Sequence, residues 1–243
     1  MERFLRVLFS LTALAAILVA GLFAWFAWIV VDLALVPAWQ AGLFLPTEAF
    51  RLLNVEFSGW ASVLPVVGYG AFAVLFGALA CVQLAAISGR TEGWQARAWW
   101  CCKVQLSLLI VSWAVFYQAL HPETGPRLPI PPVAAQGLAL LGAGVIGTHY
   151  LLLRSATAAG ALERERGLFR IVRHPMYLGD LGLYGGLALI AADGVALLLL
   201  ALFATVQVRL VRAEDRALAK RFGSAWSAWA DETGGLFPRR RRA

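Results

Sequence analysis

The stretch Pro175–Val208, PMYLGDLGLYGGLALIAADGVALLLLALFATVQV, decides the fold. It is too long and too apolar for a single crossing of a bilayer, whose hydrocarbon core takes about 20 helical residues. Ala191-Ala192-Asp193-Gly194 interrupts it with the chemistry of a turn. The stretch therefore predicts a tight helical hairpin, two spans joined at Asp193.

Upstream, Val7–Val31 and Phe57–Gly89 contain no charged residue, Val104–Leu120 follows Lys103, and Leu128–Leu153 follows a Pro-rich segment. Each is long enough for a span at 1.5 Å per residue. The first run exceeds the roughly 7–15 apolar residues of a cleaved signal, so it reads as an anchor beginning after Arg3 and Arg6. The expected fold is all-α: a polytopic membrane protein of about six transmembrane helices with a short cytoplasmic C-terminal segment. Two regions are expected, residues 1–155 with the first four spans and residues 156–243 with the hairpin and tail.

Composition agrees. Of 243 residues, 60% are apolar and 14% charged, and mean hydropathy is +0.73. Soluble domains have roughly 45–50% apolar and about 25% charged residues, so a soluble enzyme and a disordered chain are both excluded. Nineteen of the 21 Lys and Arg residues fall on one side of a six-crossing topology, with Arg51 and Arg127 on the other. The positive-inside rule then places both termini in the cytoplasm. The net charge of +7 is accounted for by this asymmetry and by anionic lipid, so no nucleic-acid partner is implied. An Arg-rich, Ala- and Leu-rich composition suggests a bacterial inner membrane.

Several features take ordinary readings. Cys81, Cys101 and Cys102 lack the spacing of a metal site or a redox pair and read as small apolar fillers. The first outer loop, Pro37 to Trp60, is dense in aromatics around a short helix started by Thr47, which suggests an interfacial segment. Gly142-Ala143-Gly144-Val145-Ile146-Gly147 mimics a dinucleotide fingerprint, but no strand precedes it, so it reads as close helix packing.

The chemistry lies in the last third. In Arg173-His174-Pro175-Met176-Tyr177-Leu178-Gly179-Asp180, Pro175 suits a first helical position. A helix from there sets His174, Tyr177, Leu181 and Tyr184 on one side and Gly179, Gly182 and Gly186 on another, where a backbone can approach closely. Asp180 is an ionisable group at membrane depth, functional by default. Arg173 alone also fits a lipid-phosphate anchor, and His174 a cap.

Further on, Val211, Leu218 and Phe222 form an apolar stripe, with Arg209, Arg212, Arg216 and Lys220 on the other side. Glu214 and Asp215 flank the apolar stripe, where an acid is costly to desolvate without a cation. Glu214 has Leu210 and Leu218 as its i−4 and i+4 neighbours, whereas Asp215 can pair with Arg212. A bound cationic ligand is the alternative.

The order RHPMYLG, turn-broken hairpin, Glu214-Asp215, Leu218, Phe222-Gly223, Trp226, Trp229, Thr233 and Phe237-Pro238 resembles the isoprenylcysteine carboxyl methyltransferases, a membrane family similar to the phospholipid methyltransferases. The resemblance covers roughly Gly160–Pro238. It implies methyl transfer from S-adenosylmethionine to a lipophilic or small thiol, carboxylate or amine acceptor. His174, Pro175, Tyr177, Leu178, Gly179, Glu214 and Asp215 would bind the cofactor, Tyr177 and Arg173 would act at the catalytic position, and no metal is implied. Two positions depart from the family pattern. The second acid is Asp215 where Glu is usual. Leu210 stands where the eukaryotic enzymes have an Arg, which weakens a prenylcysteine carboxylate as substrate.

Methyl transfer needs an in-line nucleophile and exclusion of water but no nucleophilic side chain. His149 is a candidate substrate-side residue or a core histidine bonded to a carbonyl. Two other classes stay open: a haem protein similar to membrane carotenoid isomerases, with His149 and His174 as axial ligands, and a non-catalytic membrane partner protein.

Overall fold

The computed structural model describes residues 2–30, 63–89, 93–120, 132–159, 167–191 and 193–238. The aromatic segment Pro37–Trp60, His121 and the terminal run Arg239–Arg242 lie outside them. The described residues form seven α-helices: α1 (Glu2–Val30), α2 (Val63–Ser88), α3 (Trp94–Leu120), α4 (Pro132–Ala159), α5 (Pro175–Ala191), α6 (Gly194–Phe222) and α7 (Ser224–Glu232), with a 3-10 turn at Gly167–Arg170. Among the described residues the fold is all-helical, as expected.

Four segments are long and apolar enough to cross a membrane: Glu2–Trp25, Val67–Ser88, Val133–Leu152 and Gly194–Phe222. Their outward faces carry large apolar side chains, among them Leu18, Trp28, Val74, Leu140 and Leu198. In a soluble protein such patches would be an aggregation hazard, whereas in hydrocarbon they are solvated. This is an integral membrane protein. The fifth helix, Pro175–Ala191, has 17 residues and is shorter than these four.

Two compact units divide the chain, Met1–Leu108 and Leu109–Ala243. In the first, α1 presents Phe9, Ala13 and Ala16 to its neighbours, all buried, and α2 presents Phe76 and Ala80. The spacing i, i+4, i+7 is the inward stripe of a helix. A polar clamp crosses this apolar seam. Gln83 Nε2 donates to the Phe9 carbonyl at 3.1 Å and to Thr12 Oγ1 at 2.7 Å, and Gln83 Oε1 accepts from Gln105 Nε2 at 2.9 Å. Cys101 and Cys102 are free and buried and Cys81 is exposed, as fillers in a helical bundle would be.

The second unit is built on glycine. A Cβ on Gly142 would lie 2.2 Å from the Leu183 nitrogen, and one on Gly186 would lie 2.5 Å from the Ala135 carbonyl oxygen. Helices α4 and α5 thus meet backbone to backbone, which only small residues permit. The packing reading of the Gly142–Gly147 run holds at Gly142; a Cβ on Gly144 or Gly147 would meet nothing within 4 Å.

The turn expected around Asp193 is there. Asp193 Oδ1 accepts from Ala196 N at 2.7 Å, capping α6. Its Oδ2 accepts from Trp113 Nε1 at 2.7 Å, so one carboxylate starts α6 and ties the hairpin tip to α3.

Candidate functional site at the mouth of the hairpin

Helix α5 begins at Pro175, whose missing N–H leaves nothing unsatisfied in a first turn. The residues just ahead of it are fixed by backbone bonds to the C-terminal segment. Arg173 N donates to Gly234 O at 2.8 Å, His174 N to Gly235 O at 3.2 Å, and Gly234 N to Ile171 O at 3.1 Å. Helix α7 is docked beneath by Trp229, whose Nε1 donates to Phe169 O at 3.2 Å. The chain therefore returns from α7 to strap the start of α5 in place.

Helices α5 and α6 run antiparallel, each step along one met by a step back along the other. Tyr184 packs edge-on against Phe203 at 4.8 Å. Gln207 Nε2 donates to Asp180 Oδ2 at 3.1 Å. At the mouth, His174 Nε2 lies 2.8 Å from Asp215 Oδ1, and His174 Nδ1 lies 3.6 Å from Glu214 Oε2. Two segments separated by 41 residues in sequence thus converge on one imidazole.

His174 is buried. Burial opposes its charge, but hydrogen bonds to Asp215 and Glu214, with the charges of both acids, outweigh it and lift the pKa to about 8. The side chain stands between two carboxylates as an imidazolium. Asp215 also has Arg173 Nε at 3.7 Å. Of the two acids, Glu214 is the open one, with its side chain 44% exposed against 20% for Asp215. Tyr177 packs against His174 with ring centroids 5.7 Å apart, and its side chain interacts with both Glu214 and Asp180.

Arg173 is turned inward. Its Nη1 donates to Ala230 O at 2.8 Å and Thr233 O at 2.7 Å, which satisfies carbonyls at the C-terminal end of α7. The guanidinium lies 5.5 Å from the Trp226 ring centroid. Arg173 Nε and Trp226 Nε1 are both buried without a hydrogen-bond partner among the described residues.

The expected residues do not all gather at one place. His174, Tyr177, Glu214, Asp215 and Arg173 do. Gly179 faces α4 instead, where a Cβ would lie 2.8 Å from the Gly142 carbonyl, and Pro175 is buried as the first residue of its helix. The partner of Asp215 is His174, while Arg212 is exposed and its carbonyl accepts from Arg216.

His149 is a core histidine. Its Nδ1 is 3.0 Å from the Val145 carbonyl and its Nε2 accepts from Leu168 N at 3.0 Å, so neither nitrogen is open to a haem iron or a substrate. It borders a shallow groove of about 560 Å³ along α4, lined also by Gly137, Leu140, Leu141, Gly144 and Thr148. Among the described residues, no group of three or more His, Cys, Asp and Glu side chains is placed to hold a metal ion.

Two residues at the site were not foreseen from sequence. Trp226 was named only within the family pattern. Gln207 carried one local signal: with Thr205 it is the only polar side chain between Gly194 and Val208, two helical turns before Glu214.

Comparison with known proteins gives a consistent answer. Residues 139–225 match the family model described as phospholipid methyltransferase. The match runs from α4 through both arms of the hairpin to α7, and so contains the His174–Asp215–Glu214 cluster. It is the membrane methyltransferase group that the sequence pattern resembles, and it implies methyltransferase activity in a membrane setting. No curated protein and no solved structure gives a significant match.

Proposed function

We propose that the chain, whose residues 139–225 match the phospholipid methyltransferase family model, transfers a methyl group from S-adenosylmethionine to a lipophilic or small acceptor at the cytoplasmic edge of the membrane. The observation that carries this reading is the meeting of His174 with Asp215 and Glu214, which joins the two segments that the family pattern singles out.

The residues present fit the cofactor. S-adenosylmethionine carries a sulfonium, an ammonium and a carboxylate, and supplies an activated methyl group. The half-open carboxylate of Glu214 suits a cation, and the ring of Tyr177 beside it adds the favourable face of an aromatic. Trp226 Nε1, buried without a hydrogen-bond partner among the described residues, suits an anion.

His174 holds the two acids in register as an imidazolium, which leaves the outer oxygen of Glu214 for ligand. Tyr177 positions the bound molecule one turn deeper. Arg173 acts mainly through others: it anchors the end of α7 and, with it, the strap that fixes His174. The apolar walls of the hairpin exclude water from the reacting atoms, as a displacement at a charged centre requires. The acceptor enters from the bilayer, because the hairpin borders hydrocarbon.

Six crossings complete the topology, with α3 and α5 added to the four long apolar segments and both termini in the cytoplasm. That arrangement puts 19 of 21 bases inside and the His174 cluster on the cytoplasmic side. A bacterial inner membrane is the proposed location.

The test is equilibrium binding of S-adenosylmethionine to the detergent-purified full chain, alongside transfer of labelled methyl groups to a membrane lipid extract. Saturable binding that Glu214→Ala reduces at least tenfold supports the reading. No binding in the wild type, or binding indifferent to Glu214, overturns it.

A further inference from the structure

The outward side of α6 changes character along its length. In the apolar part Val195, Leu198 and Leu202 are exposed, as hydrocarbon contacts are. Thr205 comes next and donates to the Ala201 carbonyl at 2.9 Å, which spares the hydrocarbon a free hydroxyl. Arg209, Arg212, Arg216 and Lys220 follow, all exposed. At about 3.6 residues per turn, these eight positions fall within roughly 100° of the helix circumference. The lipid-facing side of α6 therefore runs straight on into a basic stripe.

Among the described residues nothing neutralises this stripe. Its bases follow one another at i+3 or i+4, where like charges adjoin and repel. None of the four has an ion-pair partner among the described residues. Arg216 Nε donates to the Arg212 carbonyl at 3.1 Å, which commits one donor and cancels no charge. The adjacent acids, Glu214 and Asp215, are turned to His174. Arg221 lies off the stripe, its guanidinium 5.0 Å from the Phe222 ring centroid.

Height along the helix places the missing counter-charge. From Gly194 the helix rises roughly 22 Å to Arg209 and roughly 39 Å to Lys220. The hydrocarbon core of a bilayer is about 30 Å thick, and the headgroups bring it to about 40–45 Å. With Gly194 at the far edge of the hydrocarbon, the stripe begins just inside the near edge, where Arg209 snorkels outward. It ends among the headgroups.

We infer that Arg209, Arg212, Arg216 and Lys220 form a binding surface for anionic lipid headgroups of the leaflet in which α6 ends. The lipid phosphates supply the stripe's counter-charge, and the acyl chains lie along Leu198 and Leu202. Zwitterionic lipid serves less well, because its ammonium group returns a positive charge to the stripe. A lipid held there contacts the side of α6 opposite His174, so it is a resident neighbour and takes no methyl group. The surface stands whether or not the chain transfers methyl groups.

The experiment reconstitutes the full chain in phosphatidylcholine vesicles. Electron spin resonance then measures how strongly spin-labelled phosphatidylglycerol is immobilised at the protein, relative to spin-labelled phosphatidylcholine. The wild type should prefer phosphatidylglycerol about fivefold at low salt, and the preference should fade at high salt. With Arg209→Gln, Arg212→Gln, Arg216→Gln and Lys220→Gln combined, it should fall to within about twofold of none, whereas Arg221→Gln should match the wild type. Lys in place of the three arginines keeps the charge and should keep the preference.

No preference in the wild type overturns the surface, as does a preference that the fourfold variant keeps or that Arg221→Gln loses equally. Should the fourfold variant fail to insert, Arg212→Gln with Arg216→Gln decides, by losing at least half of the preference or not. Inorganic phosphate that abolishes the preference at constant ionic strength would mark a site for free phosphate. Polyglutamate captured by the vesicles in place of the lipid would mark a protein-docking face. Either result overturns the lipid assignment.

Discussion

His174 Nε2 meets Asp215 Oδ1 at 2.8 Å, and this contact closes the mouth of the hairpin. A hydrogen bond to a charged partner contributes about 1.5–3 kcal/mol. A double-mutant cycle on His174→Gln and Asp215→Asn should therefore give a coupling energy of about 2 kcal/mol in thermal or denaturant unfolding. Asp215→Asn alone should also weaken S-adenosylmethionine, because the imidazole that keeps Glu214 in register is then tethered on one side only. Additive single variants would show that the contact is incidental.

The same contact has a pH signature. The folded-state pKa of His174 is about 8 against an ordinary value of 6.5. A raised folded pKa means that the charged imidazole stabilises the protein fully below about pH 6.5 and loses that contribution as pH rises through about 8. The size is about 1–2 kcal/mol, reduced from the full shift because Glu214 is nearly half exposed and its share is screened. The melting temperature of the wild type should fall between pH 6.5 and 9 by a few degrees that His174→Gln does not show. A flat wild-type profile over that window would place the proton elsewhere.

Much of this arrangement is legible in sequence because it depends on local periodicity. The hairpin follows from the length of Pro175–Val208 and from Asp193, and the glycine contact from Gly179, Gly182 and Gly186 recurring on one helical face. Glu214 and Asp215 stand out because acids on an apolar edge call for a partner. The identity of that partner is another matter. Local spacing points Asp215 at Arg212, three residues back, whereas the chain supplies His174 from 41 residues away. Long-range pairing leaves no trace in a helical wheel.

Arg173 illustrates the same limit. A lone Arg at a membrane edge has the composition of a lipid anchor or a catalytic cation. Its actual bonds go to the carbonyls of Ala230 and Thr233, which any sequence could supply. The strap through Gly234 and Gly235 is made of backbone bonds and has no side-chain signature at all.

Replacing Arg173 should accordingly loosen the C-terminal segment first. Arg173→Lys retains a charge but not the fork of donors that reaches two carbonyls. Limited proteolysis of that variant should cut between α7 and the C-terminus several-fold faster than in the wild type, with S-adenosylmethionine affinity falling in parallel. A loss of affinity with unchanged proteolysis would instead give Arg173 direct contact with the ligand.

Asp193 carries two hydrogen bonds that Ala cannot replace. Loss of a helix N-cap costs about 1 kcal/mol, and a half-buried Trp113 N–H left without its acceptor costs about 1–3 kcal/mol more. Asp193→Ala should therefore lower stability by about 3 kcal/mol, and Asp193→Asn, which keeps an oxygen for one of the two donors, by clearly less. Equal effects of the two substitutions would separate the turn from the capping role.

The tightest test of the fold is a single methyl group on Gly142. Its Cβ would stand 2.2 Å from the Leu183 nitrogen and 2.5 Å from the Gly179 carbonyl oxygen, inside any permitted contact, and both are backbone atoms that cannot rotate away. Helices α4 and α5 must separate to admit it, at a cost of about 1–3 kcal/mol or more for an overpacked site. Because α5 begins at the His174 cluster, separation also shifts Tyr177 away from Glu214. Gly142→Ala should thus lose thermal stability and S-adenosylmethionine affinity together. Gly144→Ala, two residues on with nothing within 4 Å of its Cβ, should lose neither. If both substitutions behave alike, the glycine contact does not set the spacing of the hairpin against α4.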